Sequence, residues 1–453
     1  MTKLITLGDY NSLFKYFFYH VIAKFLYEYF IENFLPKKTD IFDKYPFPEH
    51  ILIQEGFNYL GTFICSLILI KYETTQTRKK TKNNNSTISD SNSDSSSSKS
   101  KKSALSKLKL IYHSHNGKIF QLSNFVVIFL LFIYVQLKNI FFNISLLGLD
   151  FWIPELFFVC YFTKKIFGIP IYLHKKFAIY FIFIFSGIFK ALSIIYRFKD
   201  DPDDRLYKIY KWITPIGIIF YIFLLLLRSY TICKIKLIFD LKFILSSQFL
   251  ALYSCFGAFI CFISGFISSK YACGNINDFK NIKLFCTITK DENKYYYDNY
   301  SIFFKALWDK DRDNYINIIF LNLFFLKIIL AFFIKLYCSL IIQKLNPEYL
   351  ICSNSLYFFI IDLFDFFCYI FSKDDFRFYK FFGTTAQFAC IFGTIIYLEL
   401  IELNFWNLNH DLKKNIRKRS LEEINEALFN DENEDGHNEI EDDEIGKSEM
   451  EKF

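Results

Sequence analysis

Long apolar runs separated by short charged segments organise this chain. The clearest runs are Leu122–Phe142, Phe177–Tyr196, Ile213–Leu227, Phe243–Ile267, Ile316–Ile342, Leu350–Phe371 and Gly383–Phe405. Most approach the roughly 20 apolar residues that a helix needs to cross a bilayer core. Three more are less uniform. Leu146–Phe167 holds Asp150 and Glu155, Ile51–Ile70 has Gln54 and Glu55 at its start, and Leu13–Leu35 is interrupted by Lys15, His20, Lys24 and Glu28. Phe125–Tyr134 and Ile216–Leu227 are apolar on every face, a pattern of lipid-embedded or deeply buried helices. The runs do not alternate apolar with polar, so a β-barrel is not expected. The pattern predicts an all-α polytopic transmembrane helical bundle of about ten spans. If Leu13–Leu35 instead lay on the membrane surface as an amphipathic helix, nine spans would remain and the N-terminus would change sides.

Composition adds an uneven distribution of charge. Of 453 residues, 53% are hydrophobic and 21% aromatic, yet mean hydropathy is only +0.22. The polar residues are therefore concentrated in blocks. Residues 421–453 carry 14 acidic side chains and two lysines, so the remaining chain has a net charge of +19 against +7 overall. This acidic tail, with the basic segment before it from residue 411, is expected to be solvated and disordered. A second polar block, at 71–118, is rich in Ser, Asn and Lys and is read as a disordered loop. The resulting organisation is two spans in residues 1–70, the polar loop at 71–118, a bundle of spans 3–10 at 119–410, and the tail at 411–453.

The loops also orient the chain. With a cytoplasmic N-terminus, the 71–118 loop with its 11 Lys+Arg falls on the cytoplasmic side. So do Lys164, Lys165, Lys175 and Lys176, then Arg228, Lys234, Lys236 and Lys242, and finally Lys413, Lys414, Arg417, Lys418 and Arg419. Basic juxtamembrane segments mark the inside face, so both termini are expected in the cytoplasm of a cell whose plasma membrane or endomembranes hold the protein. The loop at 268–314 balances eight Lys+Arg with seven Asp+Glu and is expected to be lumenal. It contains Cys273 and Cys286, a candidate disulfide, and the acceptor sequence Asn299-Tyr300-Ser301, which makes Asn299 a candidate glycosylation site. Met1–Tyr10 has no short apolar core before a small-residue cleavage site, so a cleaved signal peptide is not expected.

Candidate chemistry lies inside the apolar runs, where ionisable residues are costly and usually face another helix or a cavity. Asp150 and Glu155 flank Trp152 and Pro154. Asp362 and Asp365, and likewise Glu399 and Glu402, are three apart and share a helix face, and Lys327 and Lys335 sit in one run with Asn322. These groups could line a polar cavity that binds a solute or relays protons; alternatively they pair to fix helix packing or sit at the membrane interface. Asp365, near mid-span, is the leading candidate. Pro154, Pro215 and Pro347 mark kinks or span starts. No phosphate-binding, zinc-protease or nucleophile-elbow motif occurs, and none of the seven His lies near a Cys pair at zinc spacing. Enzymatic activity, a cofactor, a metal site and nucleic-acid binding are not expected.

Two segments carry a family resemblance. One is Ile395-Ile396-Tyr397-Leu398-Glu399-Leu400-Ile401-Glu402-Leu403-Asn404-Phe405, followed by Leu408 and Lys413-Lys414-Asn415-Ile416. The other is Ser229-Tyr230, Lys234-Ile235-Lys236 and Asp240-Leu241-Lys242 with the apolar run after it. Both resemble uncharacterised multi-pass proteins of unicellular eukaryotes, which are similar to the drug/metabolite transporter superfamily. The resemblance implies ten helices in two five-helix inverted repeats with cytoplasmic termini. The chain departs from that pattern in its scarcity of Gly and Ala, and its halves do not align as a repeat. The sequence thus leads to a solute carrier in a lipid bilayer, moving a small solute through a midplane cavity. The competing reading is a non-transporting scaffold or sorting protein whose acidic tail binds a cytoplasmic protein partner.

Overall fold

Apolar runs become helices because a helix satisfies its own backbone hydrogen bonds wherever water is absent. The computed structural model describes residues 7–34, 51–86, 152–200, 205–242, 244–270, 298–310, 312–371 and 378–401, three short strands between 274 and 295, and single positions from 403 to 422. In chain order the helices are α1 (Leu7–Lys24), α2 (Ile51–Ser86), α3 (Trp152–Phe167), α4 (Leu173–Phe181), α5 (Gly187–Asp200), α6 (Arg205–Lys242), α7 (Ser246–Lys270), α8 (Tyr300–Leu307), α9 (Asn314–Lys344), α10 (Pro347–Phe371) and α11 (Phe378–Tyr397). A π-helical segment, Phe25–Phe34, extends α1, and a second, Ile182–Ser186, joins α4 to α5. Three two-residue strands, β1 (Gly274–Asn275), β2 (Lys290–Asp291) and β3 (Lys294–Tyr295), form an antiparallel ribbon in the order β1-β3-β2.

Five stretches among the described residues are long and apolar enough to cross a membrane: Leu52–Gln76, Leu173–Ser193, Ser246–Lys270, Asn314–Lys344 and Pro347–Phe367. Phe381–Tyr397 is apolar but shorter. The expected ten is not reached on this measure, for identifiable reasons. The run at 122–142 lies outside the described residues. α3 has only 16 residues, and α1 carries the polar interruptions named above. Two other elements outrun their apolar parts: α2 continues to Ser86, and α6 runs for 38 residues, about 57 Å at the helical rise. The segment Arg228–Lys242, expected as a loop, is thus the last part of α6.

Polarity is distributed as in lipid rather than in water. Phe18, Ile22, Leu26 and Phe30 are exposed along the first element. Ile64 and Ile68 are exposed on α2, Phe259, Ile263 and Phe266 on α7, and Phe325, Leu326 and Ile329 on α9. Contiguous apolar surface of this kind requires a membrane or a partner to cover it. Buried positions, by contrast, include His20, Asn58, Thr62, Glu155, Lys175, Lys327, Glu348 and Asn354.

Packing follows from a few close approaches. α2 lies along α7, where a Cβ at Gly257 would stand 2.7 Å from a Tyr59 ring carbon and one at Gly56 would stand 2.8 Å from Phe262. Gly61 similarly admits Ile328 of α9. Scarce as glycine is, it is used at backbone approaches, the role that small residues play between membrane helices. α9 is the hub, packing on α1, α2, α7 and α10, while α11 packs on α4, α5 and α10, and α3 on α6 and α10. Pro347 opens α10, where its missing N–H costs nothing.

Helix ends alternate between two faces of the bundle. At one end Lys236 of α6 donates to the Gln343 carbonyl of α9 at 2.9 Å, Ser247 at the start of α7 donates to Glu73 of α2 at 2.7 Å, and Lys344 donates to the Tyr16 hydroxyl of α1. At the other end Asp298 is buried and accepts from the backbone N–H groups of Leu52 and Ile53, the first turn of α2, at 2.7 and 3.1 Å. Asn299 beside it caps α8 by accepting from Ile302 N–H at 3.2 Å. Its side chain is buried and engaged in the fold. Burial raises the Tyr300 hydroxyl above its ordinary pKa, with the Asp298 charge adding to it.

Candidate functional site

The polar groups of the first bundle end draw together helices remote in sequence. Lys175, the third residue of α4, is buried and its Nζ lies 2.9 Å from Glu348 Oε2 in the first turn of α10. The Tyr397 hydroxyl, at the end of α11, donates to the same carboxylate oxygen and lies 3.3 Å from Cys160 Sγ of α3. Lys175 also stands 4.7 Å from the Tyr397 ring centroid, a cation–π approach. Burying these charges is expensive, and only their mutual pairing compensates it.

A second pair flanks the first. His174 Nε2 lies 3.1 Å from Glu399 Oε1, both nearly buried. Glu399 has φ of 60°, the left-handed region. Its N–H donates to Ile396 O, and Leu400 N–H donates to Ile395 O, so α11 ends in a Schellman turn. Glycine is the usual residue there, and a non-glycine side chain in a sparsely populated conformation costs on the order of 1–3 kcal/mol. Glu399 thus keeps a strained backbone that carries its carboxylate to His174.

A third pair lies farther along α3. Glu155 is 1% exposed and is held by Arg228 of α6, whose Nη1 donates to Oε2 at 3.1 Å while Nε stands 3.1 Å from Oε1 as an ion-pair contact. A charge-assisted hydrogen bond of this kind is about twice as strong as a neutral one. Glu155 and Cys160 are five positions apart, about 7 Å of helix, so the Arg228 pair and the Lys175–Glu348–Tyr397 group meet α3 at neighbouring depths.

A separate polar system runs where α1 meets α9 and α10. Tyr16, His20, Lys24 and Glu28 recur every four residues and so share one helix face. His20 is fully buried, with Nε2 3.1 Å from Cys338 Sγ and Nδ1 3.1 Å from Ser353 Oγ. Lys24 donates to Asn354 Oδ1 at 3.2 Å, and the Tyr357 hydroxyl donates to Glu28 at 2.8 Å. Beyond them, Tyr29 donates to Asp365 Oδ1. Tyr27 accepts from Gln54 and Asn58 of α2, and Lys335 of α9 approaches Glu55 at 3.7 Å above the Tyr59 ring.

The carboxylates expected to act together are therefore divided. Glu155 pairs with Arg228 of α6, and Glu399 stands against His174 of α4. Asp365 is exposed on α10 and turns to Tyr29, whereas Asp362 of the same helix is half-buried. Residues three apart stand about 60° from each other around a helix, so the two aspartates share a face of α10 while differing in exposure. Lys327 is buried with its ammonium 5.8 Å from the Tyr27 ring. Asp150, Glu402, Cys273 and Cys286 lie outside the described residues.

Several participants were not singled out by sequence. Lys175 reads as one of four loop lysines, but α4 begins at Leu173 and takes it into the bundle. Glu348 follows Pro347, a helix-start signal that could have identified it as buried first-turn acid. The four-residue stripe on α1 was visible as interruptions to an apolar run, and its spacing held the message. No protein-family model matches the chain, and no match was found among curated proteins.

Proposed function

We propose that this multi-pass membrane protein is a ten-span solute carrier whose ion pairs at one bundle end form a gate. The observation that carries the reading is the buried contact of Lys175 with Glu348 and Tyr397, flanked by His174 and Glu399, because it ties α4 to α10 and α11. A gate must hold helices together in one state and release them into water in another. Ion pairs do both, since hydration replaces their mutual attraction when the gap opens. Alternation of helix ends supports the up-and-down topology, and the basic residues at the gate end support its cytoplasmic placement. In this reading Glu155 and Arg228 keep α3 and α6 together beneath the gate. Lys327, Asp362 and Asp365 line the solute's route on the other side of it. The solute is small and polar, able to exchange for the hydrogen bonds that the pairs give up.

The test is uptake by the full-length protein in liposomes, screened with zwitterionic amino acids, neutral sugars and nucleotides. Saturable uptake of one class is expected, with loss in Glu348→Gln. Absence of saturable uptake for every class, with folded protein in the liposomes, overturns the carrier reading. Deleting residues 421–453 separates the alternatives: a carrier keeps its flux, while a scaffold loses a partner in pull-down.

A further inference from the structure

The stripe on α1 is a column of hydrogen-bonding groups running along the helix axis. It starts with Tyr16 against Lys344, near the gate end. One turn on comes His20 between Cys338 and Ser353, then Lys24 on Asn354, then Glu28 on Tyr357, and finally Tyr29 on Asp365. From Tyr16 to Tyr29 is about 20 Å at the helical rise, two thirds of a hydrocarbon core of about 30 Å. The opposing groups on α10 are the adjacent residues 353 and 354, then 357 about one turn on and 365 about two turns beyond that. Two helices thus bring polar groups to face one another inside the bundle, with α9 supplying Cys338 and Lys344.

Structural pairing alone does not call for this arrangement. A single buried pair is enough to set helix register, and each additional polar group is costly in a membrane interior. His20 is the most specific element, because both ring nitrogens have partners on different helices. Ser353 donates to the Leu350 carbonyl at 2.8 Å, which leaves its oxygen to accept from Nδ1–H and leaves Nε2 to accept from the Cys338 thiol. The ring is thereby set as donor on one side and acceptor on the other. The column passes at Phe25 into the π-helical segment, a form that recurs at functional sites and often in single turns.

We infer that the face of α1 bearing Tyr16, His20, Lys24 and Glu28, closed by α9 and α10, is a proton pathway across most of the membrane. A proton taken up at one His20 nitrogen displaces the proton on the other, so the ring passes one proton and gains none. Return of the ring to its first tautomer readies it for the next. Between His20 and Glu28 the stations lie about one turn apart, a distance that water bridges. The charged and titratable groups acting on His20 are Lys24 on its own helix, Cys338 of α9 and Arg228 of α6, with Glu28, Tyr357 and Asp365 completing the column. Use of the pathway to drive solute movement rests on the carrier reading; the pathway itself does not.

The experiment places full-length protein in liposomes loaded with a pH-sensitive dye and imposes an inward proton-driving potential with valinomycin and potassium. Each solute class is present in turn or absent. Acidification is expected in at least one condition, with a fall of about 10²-fold in His20→Gln, the scale of losing one positioned proton-transfer group. Glu28→Gln and Tyr357→Phe provide second variants, judged only where the purified protein elutes as a single folded species, and a comparable fall in either supports the column. Acidification that persists unchanged in all three overturns the proposal, as does its absence in every condition. Acidification together with solute uptake indifferent to the proton gradient supports the pathway and removes only its coupling to the carrier. Proton flux without any solute uptake supports the pathway and removes the carrier.

Discussion

Lys175 and Glu348 stand 173 positions apart in the chain and 2.9 Å apart in space. Removing one partner of a buried pair strands the other's charge, at a cost of about 3–5 kcal/mol. Lys175→Met is therefore expected to destabilise the protein by that amount in detergent unfolding titrations. The double variant Lys175→Met with Glu348→Leu restores most of the loss, because two apolar side chains need no partner. Additive losses in the cycle would show that the two residues do not interact.

Glu399 occupies a position that backbone geometry reserves for glycine. In a His174→Ala background the contact between its carboxylate and the imidazole is gone. Glu399→Gly is then expected to stabilise the protein by about 1 kcal/mol through relief of the left-handed conformation. In the native background the same substitution loses the ion pair and yields less or no gain. Equal effects in both backgrounds would contradict the link between the strained turn and His174.

The α2–α7 contact is predicted to be intolerant of added volume. Gly257→Ala forces the Tyr59 ring to shift and is expected to cost about 1–3 kcal/mol. Gly187 has open space where a Cβ would stand, so Gly187→Ala should be neutral or stabilising by up to about 1 kcal/mol. Thermal unfolding of the two variants side by side checks the contrast.

Alternation of helix ends places Lys176 and Lys310 on opposite faces; both are exposed. In cysteine-substituted variants, a membrane-impermeant maleimide added to sealed vesicles should label one position and spare the other until the membrane is permeabilised. Labelling of both from the same side would overturn the up-and-down arrangement.

Continuous apolar runs made the helical class legible, and basic clusters marked which ends of the helices share a face. Helix boundaries were less so. α6 continues through Arg228 and the lysines after it because its polar side chains find Glu155, Asp240 and the end of α9 within reach. Hydropathy scores those same residues as a loop. The charges of α1 likewise looked like flaws in a span until their four-residue spacing met Ser353, Asn354 and Tyr357 on α10.

What the sequence determines alone is local: which segments are helical, how far each apolar face extends, and where charge collects. These follow from periodicity and the cost of unpaired backbone groups in lipid. Only the tertiary structure decides which charges neutralise one another. Asp362 and Asp365 look alike on paper, but the packing of α10 leaves Asp362 half-buried and sets the exposed Asp365 against Tyr29. Lys175 becomes a buried partner rather than a surface lysine because α4, α10 and α11 converge at one end of the bundle, where its charge is stable only beside Glu348.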